Sequence, residues 1–385
     1  MKSVPTKKRN IIGAALFAAA MALPSAHPAF AEAAPEKGIV AFKYLNYQDE
    51  DTNPDFDRVK VNAFSVMGMA PIAGKWSITT TYTNDSVSGA SPTEHTQYST
   101  NFISGASKIT EKRQAVDLGV TRYFPRGTVT LGQSYSTEND YISRSYSVQG
   151  SLSTEDKNTT FTAGGSYTTD TINPTGQTDI FGNQTEYDKR SVAGLLGVTK
   201  VLTKKDIVQL NLGYSKGRGD FTDHYKGWDI RPDRRESRTV MTRWNHHFDG
   251  SDGTSRLSYR FYTDTFGIRA HTVALEYVQP VANDWTVIPS ARYSSQTASD
   301  FYYPTPADGV IAPTGTYYSL DQRLSAFGAL TLGIKVEKRI AKDWLVDAKY
   351  ENYQQRADWC LTGGGDKELA HFNARFIQLG VSRQF

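Results

Sequence analysis

The chain has 385 residues, 43 Lys+Arg against 40 Asp+Glu, a single cysteine and a mean hydropathy of −0.49. That charge balance argues against a nucleic-acid partner, and one cysteine excludes an internal disulfide framework. Beyond residue 31 no apolar run is long enough for a membrane helix. A β-barrel is not excluded, because its strands alternate lipid-facing and lumen-facing residues and so average to a soluble hydropathy.

The first segment reads as an export signal. Lys2, Lys7, Lys8 and Arg9 form a positive n-region, Ile11 to Leu23 an apolar stretch rich in alanine, and Ala29-Phe30-Ala31 a cleavage site. Residues 1–31 are therefore expected to be a cleaved signal peptide and 32–385 the mature protein. Removing four cations and no acid leaves 39 Lys+Arg against 40 Asp+Glu, a nearly neutral mature chain.

The first loop candidate follows at Asp49 to Asp57. Oxygen-bearing side chains alternate there at Asp49, Asp51, Asn53, Asp55 and Asp57, as in the opening of a calcium loop. Pro54 stands where such a loop needs glycine and Lys60 where it needs a bidentate glutamate, so the segment is at most a weak cation site and otherwise an exposed acidic loop.

From there the chain reads as one strand after another. Trp76 to Tyr82 alternates large and small polar residues, and Val208 to Tyr214 places Val, Leu, Leu and Tyr on one face. Short turns are expected at Pro71 to Gly74, Pro125 to Gly127, Thr203 to Lys205, Asp249 to Gly253, Ala282 to Asp284 and Ala341 to Asp343. Between them fall longer polar stretches at Ser88 to Lys108, Asn173 to Asp188, Arg218 to Arg234, Thr297 to Asp321 and Trp359 to Leu369. Short turns on one rim and long loops on the other are the layout of an outer-membrane barrel, here of about sixteen antiparallel up-and-down strands.

Trp76, Trp244, Trp285 and Trp344 lie close to the expected short turns and are candidates for an aromatic girdle at the periplasmic interface. The last strand puts Ile377, Leu379, Val381 and the terminal Phe385 on one face. It resembles the C-terminal signal read by the barrel-assembly machinery, with Arg383 departing from the usual apolar residue. The stretch Asp85-Ser86-Val87-Ser88-Gly89-Ala90-Ser91-Pro92 resembles the signature of a family of predicted outer-membrane proteins without an assigned function. That resemblance implies the barrel and brings no catalytic residue. As a local feature the segment reads as a surface turn, or as a small-residue loop folding inward.

Strand parity gives the main site candidate. With Trp244, Tyr259 and Phe261, Leu275 and Tyr277, Ala291 and Tyr293, Ile334 and Val336, and Ala348 and Tyr350 outward, Arg243, Arg260, Glu276, Arg292, Lys335 and Lys349 face inward. Each stands about six to eight residues from its short turn, at similar height. This belt would give a polar lumen an anion preference, unless acids such as Asp264, Glu337, Asp347 and Glu351 pair with it. No zinc, phosphate-loop or nucleophile-elbow motif occurs, and the six mature histidines His95, His224, His246, His247, His271 and His371 are dispersed apart from one adjacent pair. Cys360, beside Gly363-Gly364-Gly365, reads as a tolerated thiol.

These features point to a non-enzymatic outer-membrane barrel without cofactors. Its leading reading is a passive pore for small hydrophilic solutes, anions among them, with outer-membrane lipid and the assembly machinery as partners. The alternative is a loop-plugged structural or binding barrel docking a surface or periplasmic partner, and behind it a hydrolase using loop residues. Substrate and oligomeric state are not legible.

Overall fold

Alternating side chains build strands, and lipid-length strands must close on themselves or leave a row of unsatisfied backbone groups. A computed structural model describes residues 34–50, 59–89, 109–174, 185–224, 229–304 and 315–385. The expected signal segment, 1–31, lies outside the described residues.

The first half of the chain supplies β1 (Ile39–Glu50), β2 (Lys60–Ile72), β3 (Trp76–Gly89), β4 (Ile109–Phe124), β5 (Gly127–Thr137), β6 (Tyr141–Ser153), β7 (Thr159–Ile172), β8 (Tyr187–Val201) and β9 (Asp206–Gly219). After a two-residue β10 (Asp229–Ile230) come β11 (Arg234–Phe248), β12 (Gly253–Asp264), β13 (Arg269–Val281) and β14 (Trp285–Gln296). A two-residue β15 (Tyr318–Ser319) precedes β16 (Phe327–Ala341), β17 (Trp344–Arg356) and β18 (Phe372–Gln384). All but β10 and β15 form one closed antiparallel barrel of sixteen strands, each paired with its neighbours in the chain. The expected up-and-down topology is the observed one.

The seam joins β1 to β18 over twelve pairs, from Ile39↔Gln384 to Glu50↔Asn373. Reciprocal backbone bonds between Gly38 and Phe385, 3.0 and 3.1 Å, finish it, and the Phe385 ring lies against Gly38. Individual strands of 11 to 16 residues exceed the ~9–11 that a tilted strand needs to cross a bilayer. Each turns an apolar face outward: Val40 and Phe42, Leu131, Phe161, Leu196, Leu275 and Ile334 are all exposed. A band of this extent belongs against lipid, not water.

Seven short turns close one end, at 73–75, 125–126, 154–158, 202–205, 249–252, 282–284 and 342–343. Six match the sequence reading; 154–158 does not appear in it. Among the described residues the five non-glycine residues with positive φ, Ala73, Lys157, Asp252, Asn283 and Asp284, all sit in these turns, where two-residue-type hairpins demand that conformation. The eight connections at the other end include the five expected long ones and two short ones, 138–140 and 265–268, that the sequence reading missed. Asp49 belongs to β1 and is buried, not part of an exposed loop; Asp51, Asn53, Asp55 and Asp57 lie outside the described residues. Of the Asp85 to Pro92 segment, the first five residues continue β3 and so form no turn, and the remainder lies outside the described residues.

At the start of β5, β5 and β6 approach so closely that a Cβ on Gly127 would stand 2.1 Å from the Ser151 carbonyl oxygen. Backbone cannot yield as a side chain can. Gly127→Ala is expected to lower the stability of the refolded barrel by about 1–3 kcal/mol, read from its urea midpoint in detergent; an unchanged midpoint would contradict this packing.

Candidate functional site

The inner wall has two unlike halves. Along β3 to β9 it is built of small polar residues that bond across the strands. Thr121 and Thr130 meet at 2.9 Å, Thr128 and Ser151 at 2.7 Å, Thr168 donates to Ser145 at 2.9 Å, and Ser153 meets Thr160 at 3.0 Å. Two ion pairs, Asp85–Arg113 at 2.8 Å and Asp170–Lys189 at 3.3 Å, stand near its loop end. Along β11 to β18 and β1 the inward residues are longer and charged.

Against this second half lies a cavity of about 1070 Å³. Its lining carries nine cations, Lys43, Arg231, Arg235, Arg256, Arg260, Arg292, Arg323, Lys335 and Lys349, against four acids, Glu276, Glu337, Asp347 and Glu351. Five of the six belt residues expected from parity are among them. Arg243 is the exception: it shares the inner face, paired in register with Ser258, but stands outside this lining. Lys43, Arg256 and the three loop-end arginines were missed. Lys43 was findable, since Val40 and Phe42 outward put Ala41 and Lys43 inward.

Pairing divides the belt. Lys335 reaches Glu337 at 2.5 Å and Asp347 at 3.7 Å, and Lys349 reaches Glu351 at 3.0 Å. Arg256 faces Glu276 at 3.7 Å. By contrast Arg243, Arg260, Arg292 and Lys43 have no carboxylate within salt-bridge distance among the described residues. Arg260 lies over the Tyr262 ring at 5.7 Å, and Arg292 donates to Thr331 Oγ1 at 3.3 Å. The lumen is not uniformly polar either. Leu45, Tyr47, Val59, Val61, Ala63 and Ala374 form a buried apolar cluster, with Phe376 and Tyr353 packed on it, which corrects the expectation of a polar interior throughout.

Loops cover part of the lumen at the loop end. β10 pairs with β15, tying Asp229 and Ile230 to Tyr318 and Ser319. Asp321, with no exposed side-chain surface, takes Arg231 at 2.8 Å and Arg323 at 2.5 Å; Arg323 also reaches Asp223 at 2.6 Å, and Arg231 reaches Asp229 at 2.8 Å. Both arginines line the cavity, so its ceiling is made of cations already matched by buried acids. Asp264 similarly holds Arg235 at 2.6 Å. His224 pairs with Asp220 and stacks on Tyr187, ring centroids 4.2 Å apart. Cys360 is buried, its Sγ 3.3 Å from both the Gln296 carbonyl and Thr362 Oγ1. Among the described residues no three His, Cys, Asp or Glu converge as a metal site.

The four candidate girdle tryptophans are all exposed at the short-turn end. Three lie directly across from a cation that covers the ring: Arg122 over Trp76 at 4.9 Å, Lys338 over Trp285 at 4.7 Å and Arg383 over Trp344 at 5.3 Å. Arg383, the departure from the terminal-strand pattern, thus has a cation–π partner. Trp244 donates instead to Asp206 at 2.9 Å.

Residues 13–376 match the family described as "Protein of unknown function (DUF3570)", and the chain belongs to that family. A search of curated proteins finds no match. Among solved structures the chain is similar to a "Bacterial polysaccharide outer membrane secretin", at 7% identity and TM-score 0.53, covering 90% of this chain and 98% of that one. It is also similar to CdiB from Acinetobacter baumannii, at 7% identity and TM-score 0.51, covering 90% of this chain and 60% of that one. At such identity the likeness shows the fold, an outer-membrane-type barrel.

Removing one member of a buried charge group leaves its partners uncompensated, at a cost of about 3–5 kcal/mol. Asp321→Ala should therefore loosen the tied loops without opening the barrel, seen as faster tryptic cleavage at Arg231 and Arg323 with the strands intact; equal cleavage would contradict the tie. Glu138, in the 138–140 connection, is pushed from its ordinary 4.5 up to about 7 by burial and by Asp140 and Asp85, against the pull of Arg113. The folded chain binds this proton more tightly than the unfolded one, so its stabilising effect is complete below pH 4.5 and lost as pH rises through about 7. Across that window wild-type stability should fall relative to Glu138→Gln in urea titrations; a constant difference would refute the assignment.

Proposed function

We infer that this DUF3570 member is an outer-membrane pore that passes small hydrophilic solutes with a preference for anions. Export by residues 1–31, the lipid-facing band and the terminal strand ending in Phe385 support placement by the barrel-assembly machinery, with the short turns periplasmic. The reading is one of transport, with no catalysis and no cofactor.

The observation that carries it is the unmatched charge on the lumen wall: among the described residues Lys43, Arg260 and Arg292 line the cavity with no carboxylate within salt-bridge distance, and Arg243 stands beside it on the same wall. Fixed charge of one sign inside a low-dielectric wall focuses the field and raises the local concentration of counter-ions. Lys335 and Lys349, expected in the sequence reading to share this role, are matched by acids and contribute little net field. The matched cations at the loop end narrow the mouth without adding to the selectivity.

A second reading, a plugged binding barrel, is favoured by one feature: the tie of β10 and Arg231 to β15 and Asp321 over the cavity. Conductance separates the two. In a planar bilayer under a KCl gradient, the refolded mature protein should show steady channels whose reversal potential lies on the chloride side. Cation preference would refute the charge argument, and a folded barrel without conductance would favour the plugged reading.

A further inference from the structure

The three unmatched arginines are not spread around the barrel. Arg243 pairs in register with Ser258, Ser258 with Ala274, and Ala274 with Arg292, so one row of four adjacent strands begins and ends in arginine. Arg260 stands two residues along β12 from Ser258, in the next inward row with Thr272 and Ser294. With strands about 4.8 Å apart, Arg243 and Arg292 start roughly 14 Å from each other at the backbone, with Arg260 between them. Arg260, Thr272, Ser294 and Arg292 line the cavity together, whereas Arg243 stands beside it on the same wall.

Both acids that face inward on these strands are already engaged. Glu276 faces Arg256 at 3.7 Å, and Asp264 holds Arg235 at 2.6 Å while accepting from Tyr262 at 2.7 Å. The contrast with Lys335 and Lys349, each within 3.0 Å of an acid, is sharp. A wall needing only polarity would balance these arginines as it balances Lys335 and Lys349. Arg260 and Arg292, without carboxylates in a solute-sized cavity, leave forked donors open to whatever anion enters.

Resting on the pore reading, the geometry points to a discrete binding site for a phosphoryl group at Arg260 and Arg292, with Thr272 and Ser294 between them, through which permeating anions pass. A planar carboxylate satisfies one guanidinium fork. A phosphoryl group offers three terminal oxygens and up to two negative charges, and so can engage several forks together. The Thr272 and Ser294 hydroxyls supply the further donors. The group comes either as inorganic phosphate or as a phosphate monoester on a small solute.

The test is equilibrium binding to the refolded mature barrel by titration calorimetry, with inorganic phosphate and glucose 6-phosphate as the probes. Phosphate should bind saturably, and Arg260→Gln with Arg292→Gln should weaken it about tenfold or more. Lys335→Gln with Lys349→Gln should leave it within about twofold. If the double arginine variant does not fold, Arg292→Lys, which keeps the charge and removes the fork, should show a smaller loss in the same direction. Glucose 6-phosphate binding as tightly as phosphate identifies a monoester site; phosphate alone identifies the free ion. Absence of phosphate binding to the wild type, or equal losses in both double variants, overturns the site. Conductance without binding removes the site and keeps the pore, whereas binding without conductance keeps the site and removes the pore.

Discussion

Backbone groups in an apolar slab must find their hydrogen bonds within the protein, and a sheet meets that demand only by having no edge. Here the demand is met where β18 returns to β1, over twelve residue pairs and the final Gly38–Phe385 exchange. Closure makes one face of every strand external and the other internal. Strict alternation, the short strained turns at one end and the longer connections at the other follow from it. So does the inward placement of mid-strand cations such as Arg260, Arg292, Lys335 and Lys349, since a lysine or arginine turned to mid-membrane lipid costs about 2–4 kcal/mol.

Inside the wall that penalty vanishes, and what the charges do depends on their partners. The half built from β3 to β9 satisfies itself largely with hydroxyl pairs and two ion pairs. The other half concentrates cations around the cavity, neutralises those on β16, β17 and the loops together with Arg235 and Arg256, and leaves Lys43, Arg243, Arg260 and Arg292 without carboxylates. The electrostatic asymmetry lies in the distribution of acids more than in that of cations. The near-neutral charge of the whole mature chain gives no hint of it.

The barrel was legible because its signals are local. Period-two alternation, turn residues and loop length each reflect one strand or one hairpin, and they agree along the chain. The turn at 154–158, Thr154-Glu155-Asp156-Lys157-Asn158, breaks the serine and threonine of the strands on both sides with charged and turn-forming residues, a signal the sequence reading did not use. The connections 138–140 and 265–268 are too short to register as loops. Inward placement of Arg260, Glu276, Arg292, Lys335 and Lys349 needed only parity. Their pairing needed register as well, although Glu337 and Glu351, two residues along the same faces, signalled the lysine pairs. The ceiling around Asp321 was beyond reach, because it joins segments 90 residues apart through contacts that no periodicity records.

The central claim is that the lumen has one cation-rich wall with open arginines and one nearly uncharged wall. On a Cys360→Ser background, single cysteines at Ser294, beside Arg260 and Arg292, and at Ser145, on the hydroxyl half, report each wall separately. Their reaction rates with an anionic and a cationic thiol reagent of similar size are the measurement. The account predicts that the anionic reagent is favoured about tenfold or more at position 294 and little at 145. The same preference at both positions, or a cationic preference at 294, would contradict it.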